Sequence, residues 1–504
     1  MAAGLELIRR AEAAGGRLAV VDPGGEFSYA RLLEDSAAVA RALLGDEGDL
    51  GERPVAFLCQ PGYDYVATQW GIWRAGGTAV PLAVSHPEAE LDYAVGRCGA
   101  GTVVADAALR ERVEGIATRR GLRLEDAAGL AGGAGDPGDP GRPLPQVDPG
   151  RRAMVFYTSG TTGRPKGAFW THRALAAQFQ ALSQAWGWSA EDRILSVLPL
   201  HHVHGVINVV STSLWNTACC EFLPRFDAEA TWDRILSGEL TVFMAVPTIY
   251  VRLIGCYDAA DQRRREAMSA AARKLRLMVS GSAALPVEVL ERWREITGHT
   301  LLERYGMTEI GMALSNPLEG RRVPGAVGQP LPGVRVRLVD ESGAEVPEGT
   351  PGELEVRGPG LFSGYWDDER ATREAFRDGW FRTGDVAVLD GGSYRILGRQ
   401  SVDIIKTGGY KVSALEIEDV LLGNPDVQEC AVVGTADPEW GERVTAVIVP
   451  REGARPTIET LRGWAGERLA PYKVPSRVHF VERLPRNALG KVVKPELRSS
   501  LERA

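Results

Sequence analysis

Residues 157–167 bring together hydroxyl side chains, glycines and two cations, Arg164 and Lys166, at the point where an apolar strand is predicted to end. The apolar residues 153–156 predict that strand. Glycines let backbone amides approach an anion without obstruction, and threonine or serine hydroxyls add donors. This composition predicts a loop that binds a polyphosphate. Its hydroxyls and glycines are Thr158, Ser159, Thr161, Thr162, Gly160, Gly163 and Gly167.

The predicted loop differs from the P-loop of nucleotide hydrolases. A P-loop requires Gly-Lys followed directly by Ser or Thr at a helix start, whereas Lys166 is followed by Gly167. A solvated Gly/Thr turn is the alternative interpretation of a lone Thr-Gly pair, and the length of this string disfavours it. A different nucleotide chemistry is therefore indicated.

The string at 157–167 resembles the phosphate loop of the adenylate-forming superfamily, which includes acyl-CoA synthetases, peptide-synthetase adenylation domains and luciferases. Strings similar to other motifs of the superfamily follow in its order, and the resemblance runs from about residue 20 to the end of the chain. They are residues 280–286 (adenine pocket), 303–309 (magnesium and α-phosphate), 381–385 (ribose), 398–399 (start of the hinge segment) and 485–491 (catalytic lysine). Several independent motifs in one order identify the chain as a member of this superfamily.

The resemblance implies a role for each matching residue. The implied ATP-binding residues are Thr158, Ser159, Gly160, Thr161, Thr162, Lys166, Gly281, Ser282, Ala283, Arg304, Tyr305, Gly306, Met307, Thr308, Asp385, Arg399 and Lys491. The implied catalytic residues are Lys491, Thr308, Glu309 and Lys406, and the implied Mg²⁺ ligands are Glu309 and Thr162. The implied CoA tunnel consists of Gly408, Gly409, Tyr410 and Lys411.

The same resemblance implies two half-reactions. A carboxylate oxygen displaces pyrophosphate from the α-phosphate of ATP, and a thiol then attacks the acyl-adenylate after the C-terminal domain has rotated. Charge at phosphorus must be neutralised by donors and cations, which is the work expected of the 157–167 loop, of Mg²⁺ on Glu309 and of Lys491. ATP, Mg²⁺ and the cosubstrate CoA are therefore expected.

Two strings, 199–205 and 245–252, bracket the expected acyl pocket. The second ends in a Pro-Thr-x-Tyr-x-Arg pattern that resembles malonyl-CoA synthetases, where the arginine pairs with the distal carboxylate of the substrate. The chain resembles this malonyl/methylmalonyl-CoA branch most closely, and the implied substrate residues are His202, His204, Arg252, Ser280 and Met307. Burying an unpaired arginine is costly, so an Arg252 aimed into the pocket would select malonate or methylmalonate. The alternative is a solvated Arg252 on the outward face of its helix.

Metal-site patterns are weak in this sequence. His201, His202 and His204 lie within four residues, but no cysteine or acidic residue accompanies them, so a gate to the acyl pocket is the favoured interpretation. The six cysteines form no C-x-x-C pair, which argues against both a zinc site and a disulfide framework and favours a reducing compartment.

Composition narrows the class of protein further. A length of 504 residues predicts at least two domains, and a net charge of −8 argues against a nucleic-acid partner. No apolar run reaches membrane-spanning length, and the first ten residues lack the long apolar core of a secretory signal. We therefore expect a cytoplasmic enzyme with small-molecule partners, no membrane association, and a monomeric or dimeric state. A transit peptide is the alternative, and Glu6 and Glu12 on either side of Arg9 and Arg10 disfavour it.

The predicted fold class is α/β. Strand and helix patterns alternate up to about residue 300, and antiparallel β-structure is predicted from residue 333 onward. We expect a large N-terminal domain of stacked α/β sheets with an antiparallel β subdomain, residues 1–398, and a small mobile α+β domain, residues 399–504. A hinge is expected near 399–403. The Gly/Pro/Asp-rich residues 126–152 are predicted to be a mobile surface loop.

The hinge segment departs from the pattern of many relatives. Eight residues separate Arg399 from Gly408, where seven are usual, so the pivot is either Ser401 or Val402 and Asp403 is the aspartate expected to follow it.

Three other functions remain open at this stage. The first alternative is a medium- or long-chain fatty acyl-CoA synthetase, whose substrate would leave Arg252 unpaired. The second is an adenylation enzyme that loads the phosphopantetheine of a separate carrier protein. A non-catalytic nucleotide-binding protein is disfavoured because Glu309, Asp385 and Lys491 are all present.

Overall fold

The computed structural model describes residues 4–132, 142–158, 165–407, 410–486 and 492–501, and for Lys411 the backbone alone. The helices are α1 Glu6–Ala14, α2 Tyr29–Leu44, α3 Tyr63–Arg74, α4 Glu88–Cys98, α5 Glu111–Arg120, α6 Ala127–Ala131, α7 His172–Trp186, α8 Thr212–Trp215, α9 Ala228–Leu236, α10 Pro247–Ala259, α11 Gln262–Ala272, α12 Val287–Thr297, α13 Glu369–Glu374, α14 Ala414–Leu422, α15 Ile458–Gly466 and α16 Lys494–Leu501. A π-helix spans His204–Ser211.

The strands up to residue 330 are β1 Leu18–Asp22, β2 Gly25–Ser28, β3 Pro54–Leu58, β4 Thr78–Pro81, β5 Thr102–Ala105, β6 Arg123–Asp126, β7 Arg152–Thr158, β8 Lys166–Thr171, β9 Arg193–Ser196, β10 Cys219–Phe222, β11 Val242–Ala245, β12 Leu277–Ser280, β13 Leu302–Met307, β14 Gly311–Ser315 and β15 Gln329–Pro330. The later strands are β16 Arg335–Val339, β17 Gly352–Arg357, β18 Gly364–Tyr365, β19 Phe376–Arg377, β20 Trp380–Asp390, β21 Ser393–Arg399, β22 Ile404–Thr407, β23 Tyr410–Ser413, β24 Val427–Asp437, β25 Gly441–Pro450 and β26 Arg477–Phe480.

A nine-stranded sheet with the order β15-β14-β13-β12-β11-β9-β10-β1-β2 forms one layer of the N-terminal part. Its inner strands β9 to β13 run parallel, and β11 and β12 are buried along their whole length, as their unbroken apolar sequences predict. The carboxyl ends of parallel strands meet at one edge of a sheet. The segments that follow β9, β11, β12 and β13 therefore share an edge.

A seven-stranded sheet with the order β18-β8-β7-β4-β3-β5-β6 supplies the other α/β layer. Helix α12 illustrates how helices pack on these sheets. Its Leu290, Trp293 and Ile296 are buried, as the amphipathic spacing predicts, and the indole Nε1 of Trp293 lies 3.2 Å from Sδ of Met278 in β12.

The antiparallel structure predicted after residue 333 is confirmed. Strands β16, β17, β20, β19 and β21 form a five-stranded antiparallel sheet. The remaining strands β22 to β26 form a second five-stranded sheet that packs with α14, α15 and α16 around two small apolar clusters of its own. The predicted class, a large α/β part followed by a smaller α+β part, is confirmed.

One local prediction was wrong. Residues 126–152 were expected to be a surface loop throughout, but α6 lies within them and buries Ala127, Leu130 and Ala131. The Asp126 carboxylate caps this helix by accepting a hydrogen bond from the Gly129 amide at 2.7 Å. The Gly/Pro-rich residues 133–141 lie outside the described residues. Among the described residues, no helix is long and apolar enough to cross a membrane.

Candidate active site

The two ends of the predicted phosphate loop lie side by side. Thr158 at the end of β7 and Lys166 at the start of β8 are partners in an antiparallel pair. The Lys166 side chain is exposed, and its Nζ lies 5.0 Å from the ring centroid of Tyr365. The predicted ATP-binding residues Ser159, Gly160, Thr161 and Thr162 fall outside the described residues, as does the Thr162 part of the predicted metal site.

Tyr365 also reaches the predicted metal ligand Glu309. Its hydroxyl donates to Oε1 of Glu309 at 2.9 Å. Tyr365 therefore contacts both Lys166 and Glu309. The sequence analysis missed Tyr365 because an isolated Gly-Tyr-Trp string gives no signal for a site. Burial raises the pKa of Glu309, whose side chain is almost completely shielded from solvent.

Glu309 fits a role as a ligand of Mg²⁺. A hard cation prefers carboxylate oxygens and usually keeps waters and substrate phosphates in its remaining positions, so one buried carboxylate is sufficient from the protein. Two hydrogen bonds hold the backbone at Thr308 and Glu309 in place. The Trp170 indole donates to the Thr308 carbonyl at 3.1 Å, and the Phe362 amide donates to the Glu309 carbonyl at 2.8 Å. The described residues contain no cluster of three or more His, Cys, Asp or Glu that could hold a metal.

The predicted ribose-binding aspartate is embedded in a polar group. Asp385 and Arg399 are partners in the β20–β21 pair, and the Arg399 Nε lies 3.1 Å from the Asp385 Oδ1. The Tyr305 hydroxyl donates to the other carboxylate oxygen. Burial raises the pKa of Asp385, and the adjacent guanidinium opposes this shift. Asp385, Tyr305 and Arg399, three of the predicted ATP-binding residues, therefore lie together.

Two glycines of the predicted ATP site are required by close contacts. A Cβ at Gly306 would lie 1.9 Å from the Gly311 carbonyl oxygen, which leaves no room for a side chain in the β13–β14 hairpin. A Cβ at Gly281 would lie 2.4 Å from Cζ of Arg304, so the guanidinium rests against the Gly281 backbone.

Arg304 is a buried cation without a described anionic partner. Its residue is 4% exposed, its Nε has no hydrogen-bond partner among the described residues, and its Nη2 makes one long contact of 3.5 Å with the Ser282 Oγ. Burial lowers the pKa of Arg304 to about 9, which still leaves it charged at neutral pH. The neighbouring Glu303 does not compensate it, since successive side chains of a strand point to opposite faces and Glu303 accepts from the Gly325 amide instead.

The burial of Glu303 makes the stability of the protein depend on pH. Burial raises the pKa of the Glu303 carboxyl to about 8. An unfolded glutamate titrates near about 4.3, so the folded protein holds the proton more tightly and loses stability as pH rises between these two values. Glu303→Gln should therefore raise the free energy of unfolding at pH 8.5 by about 1–3 kcal/mol and change it little at pH 4. Denaturant titrations at the two pH values measure this, and an equal effect at both would contradict it.

Two further polar groups lie beside Arg304. His204 begins the π-helix with its ring buried, and its Nδ1 lies 3.1 Å from the Ser282 Oγ. Burial, together with the positive charge of Arg304, lowers the pKa of His204, so the imidazole is neutral. The Nε2 of His204 and the Oγ of Ser280 are buried without a described hydrogen-bond partner. We call Arg304, His204, Ser280 and Ser282 the polar cluster.

The other predicted substrate and ATP residues differ in their surroundings. The ring centroid of His202 lies 4.1 Å from that of His201. Ser282 has a φ of 69°, which is uncommon for a residue other than glycine and costs backbone energy. Ser282 and Ala283 are exposed, and Met307 and Thr308 are partly buried.

The structure does not support the expectation that Arg252 is a desolvated cation. Its side chain is exposed on α10, and its Cζ lies 4.8 Å from the ring centroid of Phe226. It forms no hydrogen bond or ion pair with a described residue. Tyr250 and Leu253 of the same helix are buried, so Arg252 occupies the outward side. The desolvated arginine in this region is Arg304.

Two of the residues predicted for the thiol step, Lys406 and Tyr410, are described and exposed. Lys406 lines a cleft of about 410 Å³ together with Asp340, Glu341 and Gln400. Tyr410 is exposed and stacks on Tyr472 with ring centroids 4.2 Å apart. Gly408, Gly409, the Lys411 side chain and Lys491 lie outside the described residues.

The predicted hinge is a tight turn. The amides of Val402 and Asp403 both donate to the Arg399 carbonyl, at 3.1 and 2.8 Å, and the Gln400 amide donates to the Gly384 carbonyl at 2.9 Å. A rotation about this turn would have to break the hydrogen bond from the Ser413 hydroxyl to the Leu397 carbonyl.

Proline in this turn should separate the two half-reactions. Ser401→Pro fixes φ of residue 401 and leaves intact the hydrogen bond from the Val402 amide to the Arg399 carbonyl. We therefore expect one half-reaction to survive and the other to fall at least about tenfold. Val402→Pro also removes that bond and should perturb both. Pyrophosphate release and thioester formation from supplied acyl-adenylate are the two assays, and unchanged rates in both variants would show that the pivot lies elsewhere.

Comparison with known proteins identifies the family. Residues 7–366 match the AMP-binding enzyme family, and residues 416–491 match the AMP-binding enzyme C-terminal domain. The mitochondrial malonate–CoA ligase ACSF3 of Mus musculus is 48% identical, over 98% of this chain and 90% of that protein. The malonate–CoA ligase of Arabidopsis thaliana is 40% identical, over 96% and 86%. The crystal structure of ATP-bound MatB from Rhodopseudomonas palustris superposes with a TM-score of 0.88 at 35% identity, covering 99% of both chains. The chain therefore belongs to the AMP-binding, or adenylate-forming, enzyme family.

Proposed function

We propose that this protein is an ATP-dependent malonate:CoA ligase that forms malonyl-AMP and then malonyl-CoA, with methylmalonate as a second substrate. The observation that carries the proposal is the buried, uncompensated guanidinium of Arg304 beside His204 and Ser280. The names of the relatives from Mus musculus and Arabidopsis thaliana, both malonate–CoA ligases, support the same substrate.

The polar cluster suits the distal carboxylate of a short diacid. An arginine offers a planar fork that matches a carboxylate, and burying it without a partner is costly. A carboxylate seated there would restore the missing ion pair and provide acceptors for the Ser280 hydroxyl and for His204. The sequence analysis placed Arg304 among the ATP-binding residues, and we now assign its guanidinium to the acid substrate.

The adenylation step then follows from the other groups of the site. Thr158 and Lys166 would face the terminal phosphates, Asp385 would accept from the ribose hydroxyls, and Thr308 would donate to the α-phosphate. Glu309 would hold Mg²⁺, which when bound neutralises phosphate oxygens. Lys491 would supply the cation between the attacking carboxylate and the α-phosphate, and it lies outside the described residues.

The thiol step requires a second arrangement of the C-terminal part. Domains of residues 1–398 and 399–504 would rotate about the turn at 399–403. That motion would take Lys406 out of its cleft and bring the tunnel residues Gly408 and Gly409 to the acyl-adenylate. The exposure of Lys406 in a cleft beside the hinge turn, lined also by Gln400, supports this proposal.

The two alternative functions differ from the proposed one in the acid substrate or in the thiol. A medium- or long-chain fatty acid would bring a methyl end to the polar cluster and would leave Arg304 without an anion. Loading of a carrier protein would keep the same acid site and change the thiol. A cytoplasmic location and a monomeric or dimeric state remain predictions, and the name of the Mus musculus relative places that protein in mitochondria.

Product analysis tests the proposal. Purified protein with malonate, ATP, Mg²⁺ and CoA should yield malonyl-CoA, AMP and pyrophosphate in equal amounts, measured by chromatography with mass detection. Formation of ADP, or malonyl-AMP that accumulates in the presence of CoA and is consumed by a carrier protein, would overturn the CoA-ligase assignment.

A further inference from the structure

Lys494 is a buried lysine held between two carboxylates outside the candidate active site. Its Nζ lies 2.6 Å from the Asp403 Oδ1 and 2.7 Å from the Glu418 Oε1. The three side chains are 10%, 14% and 13% exposed, so little water shields these contacts. Three separate elements meet here: the hinge turn, α14 and the first residue of α16.

Each carboxylate has a second hydrogen bond that fixes its own element. The Asp403 Oδ2 accepts from the Arg399 amide at 3.0 Å, so this side chain closes the hinge turn. A Cβ at Gly398 would lie 2.4 Å from the Asp403 Cβ, which shows how tightly the turn is packed. The Glu418 Oε1 also accepts from the Val432 amide of β24, at 2.7 Å.

Lys494 lies three residues after Lys491 in the sequence. The flanks of residues 487–491 are joined, because Arg486 and Val492 form an antiparallel bridge and the Val493 amide donates to the Pro485 carbonyl at 2.9 Å. The residue after this joined pair is Lys494. The anchor of the segment is therefore an ion pair to the hinge turn itself.

We infer that Lys494 is a positioning residue for adenylation, which ties the base of the Lys491 segment to the pivot through Asp403. The inference rests on the proposed role of Lys491. Rotation about the hinge would then move Lys494 together with Asp403, so that the reach of Lys491 would depend on the pivot geometry. A buried pair of this kind adds little net stability, and fixing one arrangement is the use that its geometry supports.

Two isosteric variants separate this role from a structural one. Asp403→Asn removes the ion pair between Lys494 and the hinge turn. Glu418→Gln also removes one negative charge beside the Lys494 ammonium, but it leaves the ion pair with Asp403 intact. We expect Asp403→Asn to lower malonyl-AMP formation about tenfold to a hundredfold, since small displacements of a reacting group have effects of this size. Thioester formation from supplied malonyl-AMP should fall less than about threefold.

The matched comparison uses full-length protein, with melting temperatures recorded for every variant. Glu418→Gln should lose similar thermal stability and keep the wild-type ratio of the two half-reaction rates. A ratio unchanged in Asp403→Asn, or shifted equally in both variants, would overturn the inference. Wild type and Lys491→Ala are assayed in parallel: absence of malonate-dependent pyrophosphate release in wild type would instead refute the proposed function, and normal adenylation by Lys491→Ala would refute the role on which this inference rests.

Discussion

Arg304→Met is expected to lower kcat/KM for malonate by about two to three orders of magnitude. Removing one partner of a buried charge pair costs about 3–5 kcal/mol, and each increment of about 1.4 kcal/mol is a factor of ten. Methionine fills a similar space and removes the cation that is uncompensated in the free protein. Adenylation of butyrate should therefore fall much less, or rise. Pyrophosphate release in the absence of CoA is the readout, so that the thiol step does not enter.

Two further arginine variants sharpen this test. Arg304→Lys keeps the charge but loses the planar fork, so it should retain part of the malonate activity. Arg252→Ala should cost less than Arg304→Met, because Arg252 is exposed in this structure and an exposed ion pair is worth little. Two results would show that Arg304 does not bind the distal carboxylate. One is a larger loss of kcat/KM for malonate in Arg252→Ala than in Arg304→Met, and the other is an equal loss for malonate and butyrate in Arg304→Met.

Lys491→Ala should reduce malonyl-AMP formation by about three orders of magnitude or more, since it removes the cation expected to bridge the attacking carboxylate and the α-phosphate. Conversion of supplied malonyl-AMP and CoA into malonyl-CoA should stay near the wild-type rate, because the family resemblance gives this lysine a role in adenylation alone. The two half-reactions are measured separately by pyrophosphate release and by thioester formation.

Lys473→Ala is a suitable control for the loss of a lysine from the C-terminal part. The Lys473 Nζ pairs with Glu416 at 2.6 Å, and both half-reactions should persist in that variant. Equal loss of both half-reactions in Lys491→Ala would contradict the role assigned to this residue.

The sequence predicts the family because the relevant motifs are contiguous. The string at 303–309 places Tyr305, Gly306 and Glu309 on one hairpin, and the structure brings Tyr305 to Asp385 and Glu309 to the Tyr365 beside Lys166. Contacts between distant segments carry no such signal. Tyr365 was missed for that reason, and so was the ion pair between Asp403 and Lys494.

The identity of the desolvated arginine could not be predicted because it depends on burial. Helix α10 is apolar on most of its circumference, so its sequence pattern does not reveal that Arg252 and Val251 face outward while Tyr250 and Leu253 are buried. Arg304 lies in a motif that the family resemblance assigns to nucleotide binding. Its unpaired Nε is visible once the fold places it against Gly281.

The most direct test of the central claim is the ratio of kcat/KM for malonate to that for butyrate in the wild-type enzyme. It is measured by pyrophosphate release over a panel that also contains methylmalonate, succinate and decanoate. An arginine that pairs with a distal carboxylate predicts a ratio of at least about a hundred, with methylmalonate next in the series. A ratio near one, or faster turnover of decanoate than of malonate, would contradict the account and would favour a fatty acyl-CoA synthetase.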